Sequence, residues 1–136
     1  MKNVFRRLLP LMVAPLLASC SFGTTKILKQ DLTTIMSTSN MTSTEIYLSC
    51  QKANGYIIYQ ILLSENTANK ITADVKVDSG AVTFTVSTME DRELYSQPLT
   101  SDNVFTMNLF DLGNFKVRID HEDFKGSYKL NWAKEK

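Results

Sequence analysis

From position 44 onward, apolar and polar residues alternate with a period of two, the pattern of strands that bury one face. Ile46, Leu48 and Cys50 alternate with Glu45, Tyr47 and Ser49. Ile71, Ala73, Val75 and Val77 alternate with Thr72, Asp74 and Lys76, and Val82, Phe84 and Val86 with Thr83, Thr85 and Ser87. Phe105, Met107 and Leu109 form a further series, as do Phe115, Val117 and Ile119. Gly126 opens a last strand with Tyr128, Leu130 and Trp132 on one side. A short strand around Leu94 and Tyr95 ends near Pro98, because proline cannot donate to a ladder. Tyr56 to Leu63 is apolar on both faces, which predicts a central strand covered on both sides.

The breaks between these runs carry turn chemistry. Asn54-Gly55 supplies the positive-φ pair of a tight hairpin, and Asp78-Ser79-Gly80 reads as a second turn. Asp120 to Asp123 reads as a solvated loop between a strand ending at Ile119 and one starting near Lys125. Seven to eight short strands with no βαβ rhythm predict an all-β fold over residues 44–136, an antiparallel sandwich or barrel. Phe84, Phe105, Phe115, Tyr128 and Trp132 fall on its inward positions and are predicted as core.

The first 43 residues differ in character. Lys2, Arg6 and Arg7 precede an apolar run from Leu8 to Leu17, followed by the small pair Ala18-Ser19. That layout predicts an export signal over residues 1–19. The run is broken by Pro10 and Pro15 and is far shorter than the ~20 residues of a spanning helix. Residues 20–43 are rich in Ser and Thr, with ten of them between positions 24 and 44, and are expected to form a tether. Leu28, Leu32, Ile35 and Met36 carry a helical spacing, the competing reading of this stretch.

Leu17-Ala18-Ser19-Cys20 resembles the lipobox of bacterial lipoproteins. The resemblance implies cleavage before Cys20, a diacylglyceryl thioether on its sulfur and attachment to a cell membrane or outer membrane, facing the periplasm or the exterior. Diacylation meets the two-chain requirement for stable anchoring. The closing segments led by Asn103, Gly113 and Gly126 resemble the last strands of small β-sandwich lipoproteins of unassigned function. Removal of residues 1–19 leaves twelve basic against fourteen acidic side chains, a formal −2, so the footprint of nucleic-acid binding is missing.

Few side chains of the chain form a pattern that carries chemistry. With Cys20 acylated, Cys50 is the one remaining cysteine and reads as a small buried hydrophobe. Asp120, His121, Glu122 and Asp123 are ligand-type side chains in a row, but they lack the alternating spacing and glycine of a calcium loop. His121 is the single histidine, which leaves few schemes for an activated nucleophile. Met89 to Glu93 reads as a solvated charged loop. The sequence therefore points to a non-catalytic, cofactor-free binding or scaffold lipoprotein whose envelope partner is unknown. Two alternatives stand beside it. Tyr47-Leu48-Ser49-Cys50 followed by Gly55 resembles the opening of membrane-bound lysozyme inhibitors, implying inhibition of a host enzyme, although the second mature cysteine of that group is missing. The run from Asp120 to Asp123 would instead serve a cation-dependent hydrolase.

Overall fold

The computed structural model describes residues 25–63, 67–109 and 113–133. Residues 1–19 and Cys20 lie outside these ranges. Seven strands follow one another: β1 (Thr25–Ile35), β2 (Thr38–Met41), β3 (Glu45–Leu62), β4 (Thr67–Thr88), β5 (Glu93–Leu99), β6 (Asn103–Asn108) and β7 (Asn114–Ala133). All pairings are antiparallel, as the sequence predicts.

Three expected turns are not turns. β3 runs through Asn54-Gly55, β4 through Asp78-Ser79-Gly80 and β7 through the whole stretch from Asp120 to Gly126. At each place the register shifts, and the shifts sit opposite one another: Gly55 faces His121, Ala53 faces Phe124, and Gly126 faces Cys50 and Val77. The breaks are aligned bulges, which bend a strand and add to its twist. Each also resets the alternation. The buried positions of β7 are Phe115, Val117, Ile119 and His121 before the bend and Phe124, Tyr128, Leu130 and Trp132 after it.

The bends divide one sheet into two layers. In the first, β2 and the 45–50 part of β3 lie beside the far half of β7, the near half of β4 and β6. In the second, β1 and the far half of β3 lie beside the near half of β7, the far half of β4 and β5. The aromatic contacts cross between layers. Phe84 of the second meets Tyr128 of the first edge-on, with ring centroids 5.2 Å apart, and Phe105 at 6.0 Å. The fold is thus a β-sandwich whose three long strands pass through both layers, and four of the five predicted core aromatics are fully buried, with Phe105 packed against them.

Gly126 shows why the bend requires glycine. Its φ is 149°, and a Cβ there would lie 2.0 Å from the carbonyl oxygen of Lys76 on β4. Beside it, Asn54 and Asp123 clamp β3 to β7: the Asn54 amide donates to the Asp123 carboxylate (3.2 Å), and the Asp123 N–H donates to Asn54 Oδ1 (2.9 Å).

Two further expectations change. The polar stretch expected as a tether, residues 20–43, enters the sheet from Thr25 as β1 and β2, and no helix forms over 27–36. The reason is pairing: the extended partner β3 satisfies the backbone of both strands, and the β-branched threonines and isoleucines of the stretch suit a pleated surface. The 56–62 part of β3 buries only Ile57, Tyr59 and Ile61, while Leu62 on the other face is 40% exposed. A sandwich covers one face of each layer, and here Arg118 lies over the outward ring of Tyr56, 4.2 Å from its centroid.

Candidate functional site

The two long sides of the sandwich differ. On the β5–β6 side, Tyr95 and Phe105 stack across the layers with centroids 6.2 Å apart, above buried Leu99 and Met107. On the β1–β2 side, the inward faces of the two edge strands do not meet, and a cleft of about 300 Å³ opens between them. Its inner wall is Leu48 and Ile57 with Tyr59 and Tyr128 behind them. Burial pushes the Tyr59 phenol up to about 12 and raises Tyr128 well above the ordinary value, so both stay neutral.

Strand register positions the rim. Gln30 pairs with Ile57 and Thr34 with Ala53, both inward residues of β3, so these β1 side chains turn into the cleft. Ser39 pairs with inward Leu48 and reaches it from β2, with Ser37 and Asn40 beside it. The charged residues of β1 fall on the alternate, outward positions: Lys26, Lys29 and Asp31 pair with Gln60, Ile58 and Tyr56. Among the described residues, none that lines the cleft carries a formal charge. Ile27 and Met41 add partly exposed apolar surface at its mouth.

The residues singled out in the sequence lie elsewhere and do not form one cluster. His121 points inward at the bend and is 5% exposed. Its Nδ1 stands 3.1 Å from the Gly55 carbonyl oxygen and its Nε2 2.9 Å from the Tyr128 hydroxyl. Desolvation lowers its pKa, opposed by the Gly55 bond and by Asp120. Asp120 faces outward and takes two bonds from Arg118 Nε, each 3.1 Å. Asp123 is held by Asn54 and lies 3.6 Å from Lys52, while Glu122 is exposed. Among the described residues, no group of three or more His, Cys, Asp or Glu side chains is placed to hold a metal ion. The stretch from Asp120 to Asp123 is thus a bulged strand rather than the expected solvated loop, and its four side chains do not converge on one point.

Cys50 is buried at 5% exposure, with Sγ 3.6 Å from the Phe124 carbonyl oxygen, and burial pushes its thiol up. Asp91, in the turn after β4, pairs with Lys116. Sequence alternation does not reveal the cleft, because its rim lies in the Ser- and Thr-rich stretch, where polar residues occupy inward positions. A short signal is present: charged Lys29 and Asp31 alternate with uncharged Gln30 and Leu32, a period of two written in charge rather than hydrophobicity.

No protein-family model matches the chain, and no curated protein matches it. Among solved structures it is similar to a CBM4 module, at 8% identity over 79% of this chain and 74% of that one, with a TM-score of 0.37. It is also similar to TmCBM61 in complex with β-1,4-galactotriose, at 10% identity over 83% and 87% with a TM-score of 0.35. A third is xylanase 10C of Cellvibrio japonicus in complex with xylopentaose, at 11% identity over 87% of this chain and 27% of that one, with a TM-score of 0.38. Likenesses this remote carry no argument about function.

Proposed function

We propose that the mature chain is a non-catalytic binding module of the bacterial cell envelope, held at the membrane by a diacylglyceryl group on Cys20 and binding its partner in the β1–β2 cleft. The observation that carries the binding half is the asymmetry of the sandwich, stacked shut along β5 and β6 but open along β1 and β2. Concave sites with an apolar wall and a few placed polar groups are the usual form of ligand pockets. The anchor half is supported by Leu17-Ala18-Ser19-Cys20 behind its basic and apolar leader. The first described strand starts at Thr25, five residues beyond Cys20, which would keep the domain close to the bilayer. A non-catalytic role accords with His121, whose two ring nitrogens are engaged by the fold itself.

Labelling of expressing cells with radioactive palmitate tests the anchor. The wild-type chain should take up label and fractionate with membranes, and Cys20→Ser should abolish both. An unlabelled wild-type chain in the soluble fraction would overturn it.

A further inference from the structure

We infer that the β1–β2 cleft takes a neutral saccharide, recognised by its hydroxyl groups on one side and its C–H face on the other. The inference rests on the reading of the cleft as the binding site and adds the class of ligand.

Charge decides first. The outward residues of β1 include Lys26, Lys29 and Asp31, yet the register turns every one of them away from the cleft. A carboxylate, sulfate, phosphate or ammonium group entering it would lose water and meet no opposite charge, which is costly. Acidic glycans, nucleotides and charged peptides are therefore disfavoured.

Polarity decides next. Gln30 and Ser39 turn an amide and a hydroxyl into the cleft, and the Thr34 and Ser37 hydroxyls beside them, bonded to each other at 2.9 Å, keep capacity for a further bond. An acyl chain or other hydrocarbon would cover these groups without answering their hydrogen bonds, and each unanswered bond costs affinity. A sugar ring answers them with hydroxyls around its edge. Its C–H face then has Leu48 and Ile57 to rest on, with Ile27 and Met41 at the mouth. Size agrees: at about 300 Å³ the cleft is at the small end of ligand pockets, which suits a short sugar segment rather than a long chain.

The test uses the mature lipoprotein in nanodiscs and saturation-transfer NMR. The probes are neutral cello-, xylo-, galacto- and chito-oligosaccharides, a carboxylated oligogalacturonide, and hexanol as an apolar control. At least one neutral oligosaccharide should show transfer. Gln30→Ala and Ser39→Ala, both at exposed positions that the register turns toward the cleft, should each weaken it by about tenfold, the worth of one good hydrogen bond. Ser39→Trp should abolish it by filling the cleft, with melting curves checking that each variant is folded. Transfer to hexanol or to the oligogalacturonide alone, lost in Ser39→Trp, would overturn the saccharide assignment and leave the cleft as a binding site. No transfer to any probe would overturn both.

Discussion

His121 and Tyr128 stand seven residues apart on one strand, yet the bend of β7 brings Nε2 of the imidazole to 2.9 Å from the phenol oxygen. Nδ1 meets the carbonyl oxygen of Gly55, which can only accept. The set is satisfied by one state: neutral imidazole, proton on Nδ1 donated to Gly55, Nε2 accepting from the Tyr128 O–H. The histidine is thus a joint between two bent strands.

That joint makes stability depend on pH in one direction. Burial lowers the folded pKa of His121 below its ordinary 6.5, with Asp120 and the Gly55 bond opposing. A lowered folded pKa means that the unfolded chain binds the proton first, so the stabilisation is complete above 6.5 and is lost as pH falls from there toward the folded value. Melting temperature should decline over this range in the wild type. His121→Gln should be less stable at neutral pH and flatter below it. An identical slope in both proteins would show that another group titrates.

The bend itself is tested at Gly126. Alanine there needs a positive φ and places a Cβ 2.0 Å from the Lys76 carbonyl oxygen, backbone that cannot swing aside. Gly126→Ala should cost at least ~2 kcal/mol, as strained backbone and overpacking combine. Gly113 has nothing within 4 Å of the same atom, and Gly113→Ala should stay within about ±0.5 kcal/mol. Urea denaturation of the two variants reads the contrast.

The same glycines explain what the sequence could and could not convey. Alternation identified runs in five of the seven described strands, β3 to β7, and the inward set of Phe84, Phe115, Tyr128 and Trp132. It did not separate a hairpin turn from a bulge, because both break the alternation and both draw on residues that tolerate positive φ. Asn54-Gly55 therefore read as a turn, although Asn54 clamps Asp123 across a continuous β3. His121 looked exposed because the charged run suggested that the strand ends at Ile119, whereas it continues the period of Phe115, Val117 and Ile119 by one more step. β1 and β2 were hidden by composition. Their inward residues include Gln30, Thr34 and Ser39, polar because they line a cleft rather than a core.

Cys50 should behave as a shielded thiol. Its sulfur sits against the Phe124 carbonyl beneath the bend, and burial disfavours the thiolate that alkylating reagents need. Iodoacetamide should label it slowly in the native protein and promptly in denaturant. Fast native labelling would mean that the bend opens readily, and a matching loss of amide protection around Ala53 and Phe124 would confirm that.

Trp132 tests the join between the last strand and the segment before β3. Its side chain is 1% exposed, its indole N–H donates to the Ser43 carbonyl (3.1 Å), and its backbone N–H donates to that of Thr44 (3.0 Å). Trp132→Ala removes the largest buried side chain and strands the Ser43 acceptor, so it should cost ~3–5 kcal/mol, much of a small domain's ~5–15 kcal/mol. Trp132→Phe keeps most of the volume and the backbone bond but loses the indole donor, so its cost should exceed that of one hydrogen bond, ~1 kcal/mol, yet stay well below the alanine value. Arg118 provides the control on the opposite face. It stacks on Tyr56 and pairs with Asp120 at 46% side-chain exposure, where ion pairs contribute ~0–1 kcal/mol. Arg118→Ala should therefore stay within about 1 kcal/mol of wild type. A Trp132→Ala protein as stable as Arg118→Ala would show that the end of β7 is not packed as described, and would free its indole as surface.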